Sequence, residues 1–490
     1  MIPCYLRKEL SILFSIVKKK ETSLKELANS LDISKRVVKD NLNKINHAFA
    51  EIFSMSDFIV SNQAGVICIN LNYKQHAVEY AYQLKLNLLQ KNLLFNYCVQ
   101  LVTHSKISKE ELLKTLYISD QYLAKLTQQL NDFFKEYNLT IVASHGTYQL
   151  QGEELTIRIF SYIFLQDAFQ ELEWPFSHVD QASIEKNVNI EELPPSPQPF
   201  KPYKRALLIL YAILQLRISN HQLLTKPPTH ELLAFLELIR SYSDMTLVFN
   251  QEVFKNLSPE EQTLEQLYFN FLARIFLPFI VSQKQKKELG QLFFQSAHPY
   301  CITAKKILQQ AAPLLMQWQS KDTLFFYLYY LTIFEAWYSL VGNNYTKYLK
   351  LYLPEPSFHK PVNNAYFDAI QTSVANIIKP MDHIVFISCL LYTLTVSEKK
   401  PCLTIYLQII KDFSADYFIK NRLSALYNQQ AICIIDDEAA ADLIVTDTYE
   451  KALSNKTIFY LDSIENEESW YELTELIQQM YREKLRSTTL

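Results

Sequence analysis

Glycine is nearly missing from this chain, with 5 in 490 residues. Nucleotide-binding folds built on glycine-rich turns need several in a single loop, so Rossmann and P-loop enzymes are excluded and a mostly helical protein is favoured. The short signatures of common catalytic centres are also missing: there is no HExxH, no GxSxG and no clustered set of metal ligands. Neither an enzyme nor a bound cofactor or metal is therefore expected. The 7 cysteines (Cys4, Cys68, Cys98, Cys301, Cys389, Cys402 and Cys433) are odd in number, scattered and free of CxxC spacing. Reduced, buried thiols of a cytoplasmic protein are the expected reading. No long hydrophobic run with a cleavage site opens the chain, so residues 1–20 read as a helix and not as a signal peptide. The most apolar later run, residues 325–342, is interrupted by Glu335 and reads as a buried helix, so no membrane partner is expected.

What is present is core-forming. Hydrophobic residues make up 49 %, and the 31 tyrosines and 30 phenylalanines suit packing between helices. The length corresponds to three to five domains. The net charge of −3 conceals a split. Residues 1–150 hold 18 Lys and Arg against 13 Asp and Glu, which leaves 30 against 38 for the rest. A basic end on an acidic body points to a polyanionic partner for the first part alone.

That first part contains an internal repeat. Leu24, Leu27, Ala28 and Leu31 form one face of a short helix, Asp32-Ile33 breaks it, and Ser34 caps a second. The second helix carries Val38, Leu42, Ile45 and Phe49 as one apolar stripe, with Lys35, Arg36, Lys39 and Asn43 opposite. A shift of 85 residues repeats the pattern: Leu27, Leu31, Ile33, Ser34, Val38, Ile45 and Phe49 match Leu112, Leu116, Ile118, Ser119, Leu123, Leu130 and Phe134. A β-hairpin is expected after each copy, over residues 58–69 and 139–150, with Gly65, Gly146 and Gly152 in or just beyond the turns where positive φ is needed. Helix, turn, helix, hairpin is the order of a winged helix.

Residues 73–104 read as one or two linking helices. The proline-dense segment 192–202 reads as an extended loop, and 203–396 as a series of helices divisible near 283–290. Beyond 400 the texture changes. Residues 402–410, 431–435, 443–446 and 457–461 read as buried strands, and 414–428 and 470–485 as helices, which implies a small α/β domain with a parallel sheet.

This order of parts resembles the Mga/AtxA family of Gram-positive global, virulence-type transcription regulators, whose relatives carry phosphotransferase-system regulation domains. The motif-level similarity lies in Ile107–Arg158: Ser108-Lys-Glu-Glu-Leu-Leu113, Ile118-Ser119, Gly146 and Leu150-Gln-Gly-Glu-Glu-Leu-Thr-Ile-Arg158. The resemblance implies a mainly α, multidomain protein. Its parts are a first winged helix-turn-helix (1–72), linking helices and a second winged unit (73–170), two helical regulation domains (171–285 and 286–398) and an α/β domain like a phosphotransferase IIB component (399–490). An active IIB component places a cysteine in the loop after its first strand. That loop here, residues 411–416, has none, so no phosphotransfer is expected from it, and Cys402 and Cys433 are expected to be buried packing groups.

In a winged helix the second helix enters the major groove and the hairpin touches an adjacent groove or phosphates. The candidate DNA contacts are Ser34, Lys35, Arg36, Lys39, Asn43, Asn62 and Gln63 in the first unit. In the second they are Ser119, Gln121, Tyr122, Lys125, Ser144 and His145. Lysines mainly hold phosphate, whereas Arg36 and Gln121 suit base edges. In the family, the helical modules resemble domains whose histidines can be phosphorylated by the sugar phosphotransferase system; the candidates here are His221 and His383, ahead of His298 and His359. The function implied is a cytoplasmic, homodimeric, DNA-binding activator that takes double-stranded DNA and phosphotransferase-system phosphocarrier proteins as partners. The alternatives are an RNA-binding antiterminator, against which the helix-turn-helix repeat argues, and a non-catalytic phosphotransferase-linked signalling protein.

Overall fold

The computed structural model describes residues 4–19, 21–62, 65–188, 201–225, 229–243, 250–314, 321–342, 365–398, 402–409, 415–428, 431–448, 456–461 and 465–487. Helices dominate, and the strands among the described residues form three small sheets. The chain divides into two compact units: residues 1–301 with 332–357, and residues 302–331 with 358–490.

The first unit opens with α1 (Cys4–Lys19), β1 (Glu21–Ser23), α2 (Leu24–Leu31), α3 (Lys35–Phe53), β2 (Ile59–Ser61) and β3 (Val66–Ile69). Two helices then link it onward, α4 (Ala77–Gln90) and α5 (Leu93–Thr103). The same series returns as β4 (Ile107–Ser108), α6 (Lys109–Leu116), α7 (Asp120–Phe134), β5 (Thr140–Ser144) and β6 (Thr147–Gln151). Both sheets have three strands with the last strand in the centre, β1-β3-β2 and β4-β6-β5. The outer strands β1 and β4 are three and two residues long, too short to show any alternation in the sequence.

The local causes of the two folds are matched residue for residue. Ser23 and Ser108 cap α2 and α6, and Ser34 and Ser119 cap α3 and α7. Each turn between helices is made by one residue in the left-handed region, Asp32 at φ 51° and Tyr117 at φ 53°. The expected stripes face the cores: Val38, Ile45 and Phe49 in α3, and Leu123, Leu130 and Phe134 in α7, are buried. Phe49 stacks on Phe58 with ring centroids 3.8 Å apart, and Phe134 meets the edge of Phe160 at 5.4 Å.

Long helices follow: α8 (Glu154–Phe169), α9 (Gln181–Lys186), α10 (Lys201–Ser219), α11 (His230–Tyr242), α12 (Pro259–Phe276), α13 (Gln283–Gln295), α14 (Pro299–Ala311) and α15 (Lys321–Val341). Two expectations change here. The loop read over 192–202 gives way at Lys201, where α10 begins; Pro202 is tolerated because first-turn N–H groups have no partner in the helix to lose. Residues 192–200 lie outside the described residues. The division near 283–290 falls inside α13, and the break in helix lies before it, where Ser282 caps α13. One described helix, α15, is long and apolar enough to cross a membrane; Leu328, Leu331, Thr332 and Glu335 on it are buried within the protein.

The second unit holds the helices Ala365–Ala375 and Met381–Glu398 and then the α/β domain. Its strands β7 (Leu403–Gln408), β8 (Ile432–Ile435), β9 (Leu443–Thr446) and β10 (Thr457–Tyr460) are all parallel, in the order β10-β9-β7-β8. Leu403, Ile405, Leu443 and Val445 pack against Ile419 and Leu423 of the helix Ala415–Leu426 and Trp470, Leu473 and Ile477 of the helix Glu467–Ser487. The expectation of two buried cysteines fails. Cys402, just before β7, is half-buried, and Cys433 is exposed on β8, which lies at the edge of the sheet. Of the cysteine-free loop 411–416, residues 411–414 lie outside the described residues.

Candidate nucleic-acid interface

The exposed side of α3 presents Lys35, Arg36, Lys39 and Asn43 together. Lys35, Lys39 and Asn43 recur every four residues, so they share a single helical face. Ser34 has a different task. Its Oγ accepts from the Val37 N–H at 3.3 Å, so it is spent on starting the helix. Asn62 is likewise engaged: its Oδ1 accepts from the Val66 N–H at 2.9 Å and closes the hairpin turn. Gln63 lies outside the described residues.

In the second unit Gln121, Tyr122 and Lys125 are exposed on α7, and the Lys125 ammonium sits 5.9 Å from the centre of the Tyr122 ring. Ser119 repeats the role of Ser34, accepting from the Tyr122 N–H. Asp120 opens the helix with a carboxylate that a polyanion would meet, and Lys109 neutralises it at 2.7 Å. The hairpin turn is His145-Gly146, with φ of 50° and 74°, the pairing that two-residue hairpins favour. Ser144 ends the strand, and its hydroxyl shares a 2.8 Å hydrogen bond with His145 Nδ1. The tip is therefore exposed and polar.

Sequence reading missed the residues that aim these hairpins. Asn46 on α3 takes the Ile59 N–H on its Oδ1 and donates to the Ile59 carbonyl, both at 2.8 Å. Asn131 on α7, 85 positions later, does the same to Ile141, at 2.6 and 3.5 Å. Each asparagine holds the first hairpin strand against the exposed helix. The signal was present, since both asparagines fall in register in the repeat.

A buried ion network links the second unit to the helices after it. Arg158 on α8 grips Glu265 of α12 with both terminal nitrogens and donates to Glu154 at 2.8 Å, while Arg217 of α10 takes the same Glu154. Burial works against the Arg158 charge, but the two glutamates outweigh it and hold its pKa above the usual value. Arg158 also donates to the Gln222 carbonyl at 3.0 Å, and Glu265 accepts from the Leu224 N–H at 3.0 Å. The segment so held begins at His221, an exposed residue at φ 54°. His221 borders two cavities of about 280 and 460 Å³; the larger also touches Gln149 and Gln151 of β6 and Arg217. His383 sits differently, 8 % exposed within the helix Met381–Glu398. His298 is half-buried, with Nε2 at 2.8 Å from the Glu231 carbonyl, and His359 lies outside the described residues.

A short turn between capped helices, followed by a hairpin pinned to the second, defines the helix-turn-helix class. Residues 81–165, from α4 into α8, match the Mga helix-turn-helix domain. A protein of Streptococcus pneumoniae serotype 4 (strain ATCC BAA-334 / TIGR4), named "Putative trans-acting regulator", is 23 % identical over 259 residues. That match covers 51 % of this chain and 49 % of the relative, so the chain spans about half the length of the curated relative it matches. Both findings agree with the resemblance read from the sequence: residues 81–165 are similar to the Mga helix-turn-helix domain, and about half of the chain is similar to a protein named as a regulator.

Proposed function

We propose that this chain is a DNA-binding transcription regulator, an activator that works as a homodimer in the cytoplasm and is tuned through phosphotransferase-type regulation domains. The observation that carries the reading is the repeat. Two helix-turn-helix units 85 residues apart share their caps, left-handed turns, sheet order and asparagine clamps, and the second matches the Mga domain. On this reading both units are winged, α3 and α7 enter the major groove, and the hairpins lie on flanking phosphates. Lys35, Lys39 and Lys125 hold phosphate, Arg36 and Gln121 read base edges, and Asn43 and Tyr122 flank them. His145 and Asn62 stand at the wing tips, and Ser34 and Ser119 act by fixing the helix starts.

The domains on this reading are those expected from the sequence, 1–72, 73–170, 171–285, 286–398 and 399–490, with the boundary between the two helical ones moved from 285 to the break at Ser282. The parallel sheet of the last part supports a likeness to a IIB component. Exposed Tyr417, Leu426 and Tyr471 on its two helices support a role in dimer contact. Of the two regulatory histidines, His221 is the favoured phosphoryl acceptor because a phosphocarrier can reach its ring, whereas His383 must first be uncovered. A phosphate on His221 would bring negative charge beside the segment that Arg158 and Glu265 hold.

A fluorescence titration against genomic promoter fragments tests the reading, comparing wild type with Arg36→Ala/Lys39→Ala and Gln121→Ala/Lys125→Ala. Binding that weakens in either double variant is the expected result and ranks the units. If wild type binds no duplex DNA at any salt concentration, the proposal fails, and binding to RNA hairpins instead would favour an antiterminator.

A further inference from the structure

Three side chains from separate elements meet at the second helix-turn-helix unit: His104 at the end of α5, Glu111 on α6, and His178 in the loop after α8. Their ligand atoms all lie within 4.8 Å of one another, with His178 Nε2 at 3.6 Å from Glu111 Oε1. The two imidazole rings stand edge to face, 4.4 Å between centroids and 78° between planes.

The state of His104 is set by its surroundings. Its Nδ1 lies 2.9 Å from the Gln100 carbonyl, which can only accept, so Nδ1 carries the proton. Nε2 is thereby left with an unshared pair. That atom is buried and has no hydrogen-bond partner. A buried polar nitrogen without a partner is unfavourable, and a ligand that takes its lone pair removes the penalty. The Gln100 carbonyl orients the ring as the outer-shell acceptor does behind a metal-bound histidine.

We propose that His104, Glu111 and His178 form a binding site for a divalent transition-metal ion. Two imidazoles and one carboxylate suit zinc, cobalt or nickel in preference to magnesium or calcium, which favour all-oxygen sets. Three protein ligands leave a fourth position for water or a small anion. The loop that supplies His178 is steadied by the Trp174 Nε1–H, which donates to the Val179 carbonyl at 2.6 Å. A bound ion joins that loop to α6, whose Lys109 pairs with Asp120 at the start of α7, and so makes the setting of the second unit depend on metal supply.

The test uses the full-length, tag-free protein after chelator treatment. Cobalt(II) is titrated with visible absorption as the readout, and zinc by calorimetry, in wild type, His178→Ala and Glu111→Gln. His178 and Glu111 are 60 % and 43 % exposed at their side chains, so both metal-free variants should match wild type in circular dichroism and Tm. The expected result is d–d absorption from nitrogen-ligated cobalt in wild type, a zinc-dependent rise in Tm, and at least a tenfold loss of zinc affinity in each variant. Equal affinity in wild type and both variants, or no d–d band in wild type, overturns the proposal. Because the readout is metal uptake, this outcome is independent of whether the chain binds DNA.

Discussion

Asn46 and Asn131 each satisfy both backbone groups of one strand residue. Truncation to alanine leaves a half-buried N–H and C=O unpaired, at a cost of about 1–3 kcal/mol. Urea unfolding of Asn46→Ala and Asn131→Ala should show that loss, and an unchanged midpoint would mean water replaces the amide fully. Glycine makes a second residue-scale case. Gly152 was expected to need a positive φ, but it does not adopt one. Its requirement is space: a Cβ there would lie 2.5 Å from Leu139 Cδ2 and 3.1 Å from the Asn138 carbonyl. Gly152→Ala should therefore destabilise by about 1–3 kcal/mol through overpacking. Gly146→Ala meets nothing within 4 Å and costs only the left-handed backbone, about 1 kcal/mol. The two Tm values, compared side by side, separate these causes.

At the scale of elements, α8, α10 and α12 are joined by charge as well as by apolar packing. Removing the Arg158 guanidinium leaves Glu265, 1 % exposed, as an uncompensated buried carboxylate. Arg158→Ala should cost about 3–5 kcal/mol, and Arg158→Ala/Glu265→Ala should recover part of it. A double-variant cycle by denaturant unfolding checks this; additive losses would deny the coupling. In the α/β domain, burial alone would raise the Asp442 carboxyl. Lys484 at 2.5 Å and the Thr404 N–H and hydroxyl at 2.8 Å outweigh it and hold the pKa below the ordinary 3.8. A carboxyl depressed in the folded state stabilises above its unfolded pKa and loses that contribution as pH falls through its folded value. Unfolding midpoints should therefore drop for wild type below about pH 4, where the unfolded carboxyl protonates. Asp442→Asn should be weaker at pH 7 and show a shallower decline.

For the whole molecule, the proposed DNA function has an ionic signature. If a dimer neutralises roughly six to ten phosphates, affinity should fall about 10³- to 10⁵-fold between 50 and 200 mM salt. Each lysine substitution on α3 should lower the log–log slope by about 1 while leaving sequence preference unchanged, whereas Arg36→Ala should relax preference at one position. Binding that ignores salt would count against the charged face of α3 as the contact.

Much of this was legible in order along the chain. The 85-residue repeat, the serine caps, the apolar stripes of α3 and α7 and the short apolar runs that form the strands of the last domain are local patterns, the stripes following the 3.6-residue period of a helix that buries one face. Tertiary structure alone decided what depends on residues distant in sequence. The strands β1 and β4 exist only because a hairpin edge pairs with them. His104, Glu111 and His178 show no metal-ligand spacing, and Arg158 and Glu265 are separated by more than a hundred residues. Cys433 is exposed although its strand reads as buried, because only the order of strands determines which one lies at the edge. Periodicity reports which face a residue occupies; it carries no information on what the fold brings to that face.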